Sequence, residues 1–471
     1  MSDPANRVLR RRAFLGRIVG GGAAAALALP VRSGYATVRG LQLEAGEGVV
    51  DTTPPLGIEM AGFHRPPGQE RRIVGIRRPA SARALVLRLG DTQAAIVSLD
   101  ICGVSREMTA RVQTRIAEQL GIPVADVRIC ATHTHSMPTL RYVRQWGAVP
   151  PEYMASVETK MVQAVEMAKA DLTSSALYLG KSRAPGASNN RTTKTWKTDE
   201  QFAKDSTDAE RWLDTMVHVL HFDRGEGKRD LLWYHFSAHP VCYQDDQAGP
   251  DWPGLVDELV RQKHKIPPSY LQGHCGDVNA GDADHWIGSA ENTAEPVAAA
   301  IGRAVDTARR VKVDALRVQT QQLPVPLDMD LFAQWLAAYR EDPSKCSAGP
   351  WVDAGFAKDW FQSSLRRDVS QGHTPAVLSA MQLGELALVF HPSELYSYYG
   401  LAIRRDSPLA DTLVMGYADD LIGYLPDPNA YRAGEYSAIT VPKIIDLPPF
   451  VPTAGRTLSG AAVAMLKRLV V

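Results

Sequence analysis

Two histidines stand one residue apart in ATHTHSMPTL (131–140), directly after an apolar run. In an extended segment, residues i and i+2 point to the same face. His133 and His135 would then present both imidazoles to one side, flanked by the hydroxyls of Thr132, Thr134 and Ser136. Such a pair suits a metal site, an acid–base pair, or a strand edge that merely contains histidine. A second pair, His235 and His239 in LLWYHFSAHP, has H-x-x-x-H spacing, which on a helix would set two ligands on one face. The segment reads as strand, however, and four strand residues span about 13 Å. A zinc–nitrogen bond is about 2 Å, so only one of the two can serve a given ion. His239, before Pro240, is the better candidate, and His235 is expected in the core or hydrogen-bonded. Zinc takes three or four N, O or S ligands, so a carboxylate is needed as well. Glu394 in FHPSELY is the candidate, read as lying past a strand where a helix begins; a first-turn acid favouring the helix dipole fits that place equally well.

The candidates gather where strands end. ALVLRLGDTQAAIVSLDICG reads as two strands around a Gly-Asp turn. SREMTARVQTRIAEQLG has apolar residues at helical spacing and Gly121 as its stop. VRICATHTHS then reads as a strand running straight into the histidine pair. Strand, helix, strand is the grammar of an α/β fold. It recurs in DLLWYHFSAHP, SYLQGHCGDVNAGD, AVLSAMQLGELALVFHPSELYSYYGLAIRR and TLVMGYADDLIGYLPDP. Open α/β folds build sites at the carboxyl ends of strands. The sequence therefore predicts an α/β protein with mixed β-sheets flanked by helices and one pocket at those ends. No internal repeat is visible. Trp335, Trp351 and Trp360, in the segment 328–372, are expected to pack rather than to line a substrate groove.

Across 471 residues, 52 Lys and Arg balance 52 Asp and Glu. There is no basic excess to suggest a nucleic-acid partner. Five cysteines form no CxxC pair, and the odd count argues against a disulfide framework. Cys102 and Cys130 lie in apolar runs and are expected as buried thiols. Residues 1–36 differ from the rest. RRRAFLG at 10–16 precedes a Gly/Ala-rich apolar run and resembles a twin-arginine signal peptide. The run is too short and too glycine-rich for a membrane span. The expectation is a periplasmic or secreted protein that meets the twin-arginine export machinery and has no transmembrane segment in its mature chain.

DTTPPLGIEMAGF, SARALVLRL, AAIVSLDICGVS, VRICATHTHS, SNNR, FSAHPV, GPDWPGLV, LQGHCGDVN, FHPSELYSYYGLAIR and YADDLIGYLPDPNAYRAGEY follow one another along the chain. In that order they resemble the neutral/alkaline (non-lysosomal) ceramidase family over roughly residues 45–440. The resemblance implies a zinc ion held by His133, His239, Glu394 and Tyr424. It implies catalytic roles for His135 beside the reacting amide, for Arg191 as a substrate-holding cation, and for Tyr436 near the water that attacks. The expected organisation is a single catalytic domain over 37–471, which departs from the family's full-length members in having no immunoglobulin-like C-terminal domain. Two further departures stand out. The family's GDVSPN reads GDVNAG, with Asn279 at the serine position, which leaves zinc-bound water as the nucleophile. HSGPG reads HSMPT, a bulkier loop beside the pair. Asp100, Asp251 and Asp277 are expected to hold loops or orient a ligating imidazole.

Together these readings give a secreted zinc-dependent amidohydrolase cleaving an N-acyl amide, with ceramide, split to sphingosine and fatty acid, as the family's lipid substrate. One alternative is a zinc hydrolase of a small soluble amide or ester. Another is a secreted binding protein that retains the site without turnover.

Overall fold

The computed structural model describes residues 41–470 apart from Glu226, 283–286, 343–348, Trp351, Asp353 and 367–371. The expected leader and Trp351 lie outside the described residues. Strands β1 (Leu43–Asp51), β2 (Ser81–Leu89) and β3 (Thr92–Leu99) form an antiparallel meander. Helix α1 (Arg106–Leu120) then crosses over to β4 (Val127–Ala131), which pairs parallel to β3. Both ends of α1 follow from local chemistry. The Ser105 hydroxyl accepts the Met108 N–H, and Gly121 takes the left-handed conformation that closes the last turn. Helix α2 (Pro151–Ala170) packs on β1 and β2.

The same plan is built twice more. Strands β5 (Ala176–Arg183), β6 (Met216–Asp223) and β7 (Leu231–Phe236) form a meander, and α3 (Trp252–His264) crosses to the parallel β8 (Pro268–Gln272). Helix α4 (Ala290–Asp306) covers β5 and β6. Next come β9 (Leu316–Pro326), helices α5 (Met329–Glu341) and α6 (Ala354–Ser364), β10 (His373–Leu383) and β11 (Leu386–Phe390). The two-residue β12 (Glu394–Leu395) and α7 (Ser397–Asp406) lead to β13 (Asp411–Met415), parallel to β11. A short β14 (Tyr424–Leu425) pairs with β12, and α8 (Ala454–Leu469) closes the fold. The sequence shows no repeat because the three units share a hydrogen-bonding pattern and not a residue pattern. The structure is thus α/β with mixed sheets, as expected.

One apolar cluster joins all three sheets: Leu87 and Ile96 from the first, Leu220 and Trp233 from the second, Leu388 and Leu413 from the third, all buried. Leu41–Val471 therefore form one compact unit. Trp360 is buried and its ring meets the partly buried Trp335 edge-on at 6.1 Å, so these two tryptophans pack as expected. No helix among the described residues is long and apolar enough to cross a membrane.

Candidate metal centre and pocket

The last paired residues of the three parallel ladders are Leu99 with Ala131, Phe236 with Gln272, and Phe390 with Met415. The chains that leave these ends converge. From the first unit comes His133, from the second His239, and from the third Glu394 and Tyr424, all buried. The strand does not run into the histidine pair: β4 ends at Ala131, and His133 sits in the left-handed region at φ 63°. A non-glycine residue there is strained, a feature that clusters at functional sites. The kink, and not strand alternation, brings the rings of His133 and His135 to 4.9 Å. Likewise β7 ends at Phe236, and His239 follows in an isolated bridge with Asn279. Glu394 lies in β12, ahead of α7 and outside its first turn, so the helix-dipole reading does not hold. The parallel β12–β14 pair sets Glu394 beside Tyr424.

The donor atoms face one another. His239 Nε2 is 3.2 Å and His133 Nε2 3.5 Å from Glu394 Oε2, and the Tyr424 hydroxyl is 3.3 Å from His239 Nε2. Ligands bound at 2.0–2.1 Å around a tetrahedral ion lie roughly 3.3 Å apart. The tautomers fit as well. His133 Nδ1 donates to the Cys102 carbonyl at 2.7 Å and His239 Nδ1 to the Val278 carbonyl at 2.8 Å. A carbonyl only accepts, so each ring carries its proton on Nδ1 and turns the Nε2 lone pair inward. Burial holds His133 down at about 4 and His239 well below the usual imidazole range. Both rings are neutral, as metal ligands must be. His133, His239 and Glu394 form a metal-competent triad, to which the Tyr424 hydroxyl adds a fourth donor atom.

A second grouping, Cys102 with His133 and His135, is also close enough to share an ion. Burial pushes the Cys102 thiol up, however, and only a thiolate ligates well. His135 Nε2 lies 3.2 Å from His133 Nε2, and its Nδ1 has no partner. His133 Nε2 carries no proton, so His135 is the donor between them. Arg191 donates to the Tyr424 hydroxyl at 2.6 Å and to the Gly276 carbonyl at 2.7 Å. Tyr436 places its ring 6.2 Å from that of Tyr424.

Of these groups His135, Arg191, Tyr424 and Tyr436 line a cavity of about 490 Å³, together with Phe63, Trp146, Asn279 and Glu435. Gly62 also lines it at φ 102°; a Cβ there would lie 2.4 Å from the His135 Cβ. Sequence reasoning missed Phe63, Trp146 and Glu435, which lie in loops without periodicity. It also missed Tyr417, stacked on His133 and 3.4 Å from Glu394 Oε2. The recurrence of a chemically able residue two positions past each crossover strand, His133, His274 and Tyr417, was the available signal.

The aspartates hold loops and touch no ligating ring. Asp100 accepts from Ser81, Asp251 caps α3 through the Trp252 N–H, and Asp277 accepts from Ser397 and Asn190. His235 donates from Nε2 to the Val414 carbonyl at 2.9 Å, inside the core as expected.

Residues 43–249 match the sequence profile of the family described as "Neutral/alkaline non-lysosomal ceramidase, N-terminal". A curated relative, the neutral ceramidase of Mycobacterium tuberculosis, is 25% identical over 209 residues, 42% of this chain. The match spans about a third, 32%, of that relative's length. The crystal structure of the neutral ceramidase from Pseudomonas aeruginosa superposes with a TM-score of 0.67 at 18% identity, covering 91% of this chain and 75% of that one. A ceramidase complexed with C2 gives 0.69 at 18% identity, covering 91% and 76%. The chain has the neutral ceramidase fold, and its residues 43–249 carry the N-terminal sequence pattern of the neutral/alkaline ceramidase family.

Proposed function

We propose that the chain is a zinc-dependent amidohydrolase that cleaves an N-acyl amide of the ceramide class to a fatty acid and an amine. The observation that carries this reading is the convergence of His133, His239, Glu394 and Tyr424, one unit's loop after another, beside a cavity that His135 lines. Zinc held by those four residues supplies a Lewis acid for the amide carbonyl and acidifies the attacking water. His135, buried and neutral, would take up a proton from the attacking water and return it to the leaving nitrogen. Arg191, already fixed on Gly276, holds the Tyr424 oxygen as an acceptor and offers its charge to a polar head group. The Tyr436 hydroxyl donates to the oxyanion that develops on the carbonyl. Phe63, Trp146 and Val241 give the cavity an apolar side for a hydrocarbon chain.

The polar side of the same cavity, with Arg65, Asn279 and Glu435, supports a second reading, hydrolysis of a smaller soluble amide or ester by the same groups. Release of labelled fatty acid from an N-acylsphingosine, with and without a chelator, separates the two. Chelator-sensitive release supports the ceramide reading; no release from zinc-loaded protein moves the substrate to small amides and esters. Export to the periplasm or beyond rests on the arginines at 10–12. Replacing Arg11 and Arg12 with lysine should trap the chain in the cytoplasm.

A further inference from the structure

A second cavity, of about 330 Å³, lies between the first two sheets and α3, apart from the pocket above. Its polar inventory is unbalanced. The Tyr234 hydroxyl lines it, 1% exposed, with no hydrogen-bond partner. Asp100 also lines it and accepts the Ser81 N–H and hydroxyl at one oxygen, Oδ2. Asp257 gives Oδ2 to Arg261 at 2.8 Å, while its Oδ1 is buried without a hydrogen bond, 3.5 Å from Arg83. The guanidinium groups are already engaged. Arg78 forks onto Glu258 at 2.7 and 3.0 Å, and Arg83 donates to Ser81. What remains is one carboxylate more than the guanidinium groups: Asp51, Asp100, Asp257 and Glu258 line the cavity against Arg78, Arg83 and Arg261. Buried acceptors and charges left in this state are costly. Burial pushes the Asp100 carboxyl up, and burial with the facing Asp257 and Asp100 pushes the Tyr234 phenol up; an added cation would relieve both.

The cation is not a small metal ion, because none of these carboxylates belongs to a metal-competent group among the described residues. A primary ammonium fits better. Its three N–H bonds match several separated oxygens. The walls contributed by Pro79, Pro250, Pro253 and Pro268 suit a short carbon body. A volume of this size is at the lower end of small-molecule sites. We propose that this cavity binds a small primary amine, with its ammonium on Tyr234, Asp100 and Asp257. Asp100 lies two residues before Cys102, whose carbonyl orients His133, so occupancy at this cavity is connected to the metal centre by one short segment.

Isothermal titration calorimetry in an amine-free phosphate buffer tests this, with 2-aminoethanol and n-butylamine as probes and n-butanol and KCl as controls. The amines should bind saturably. Tyr234→Phe, which removes a hydroxyl with no partner and so spares the fold, should weaken them ~10-fold, as should Asp257→Asn. No saturable amine binding overturns the proposal, and so does equal binding to both variants or equal binding of KCl. No substrate is turned over in the experiment, so its outcome is independent of the amidase reading.

Discussion

Tyr417 lies nearly flat against His133, ring centroids 4.2 Å apart and planes 23° from parallel, while its hydroxyl donates to Glu394 Oε2 at 3.4 Å. One side chain from the third unit therefore steadies a ring from the first and a carboxylate from its own. Tyr417→Phe keeps the stacking and removes the hydrogen bond. Partners of this kind are worth ~10–100-fold in metal affinity. The expected result is a loss near the lower end, read by competition with a chromophoric zinc chelator. Unchanged affinity would show that Glu394 is held by its neighbours alone.

The two histidines of the pair should separate by what their loss does. His239→Ala removes one of the four proposed ligands and should purify without metal. His135→Ala should retain metal and lose ~10²–10⁴ in rate. Metal content by elemental analysis beside single-turnover rates decides it. Loss of metal from His135→Ala would make both members of the pair ligands.

Gly62→Ala probes the wall behind His135. The backbone there is at φ 102°, where alanine is strained, and its methyl would press on His135. Activity should fall sharply with metal content unchanged, and the variant should lose about 1–3 kcal/mol of stability. A fully active variant would show that His135 has room to move without consequence.

Acid should destabilise the core from a site away from the pocket. Burial holds His235 down at about 4. Its folded pKa is below the unfolded value of about 6.5, so the stability it contributes is present above that value. That contribution is lost as pH falls from about 6.5 through 4. His235→Gln keeps a donor for the Val414 carbonyl and cannot titrate. Urea midpoints at pH 7 and pH 4 should drop less for the variant than for the parent. An equal drop assigns acid sensitivity to other groups.

Much of this site was legible because its residues are chemically able and stand next to strands that announce themselves. Short apolar runs, β-branched in β3 and β4 and aromatic in β7, marked the strands, and the cap residues Ser105 and Gly121 marked α1. The strand-length argument separated His239 from His235, and the structure sets His239 beside Glu394 and His235 on the Val414 carbonyl. What pattern could not give was conformation just beyond a strand. Nothing local in CATHTHS foretells a left-handed His133, because that backbone is imposed by contacts with the third unit, including the Ala131–Tyr417 and Asp419–Ile129 backbone bonds. Tyr417 and the lining residues Phe63 and Trp146 escaped for the same reason. Their importance is a matter of what lies opposite: His133 for Tyr417, 284 residues away, and His135 for Phe63 and Trp146.

The threefold building plan makes the metal centre a checkpoint on assembly. Each of the three meander-and-crossover units could form its own ladder, yet none owns more than part of the coordination set. High-affinity capture must wait until every unit has docked, so bound metal certifies that the long-range closures are complete. Conversely, stripping the ion should first loosen the seams between units, leaving each internal sheet protected in hydrogen exchange while Tyr417, Gly276 and the β12–β14 pair become open to solvent.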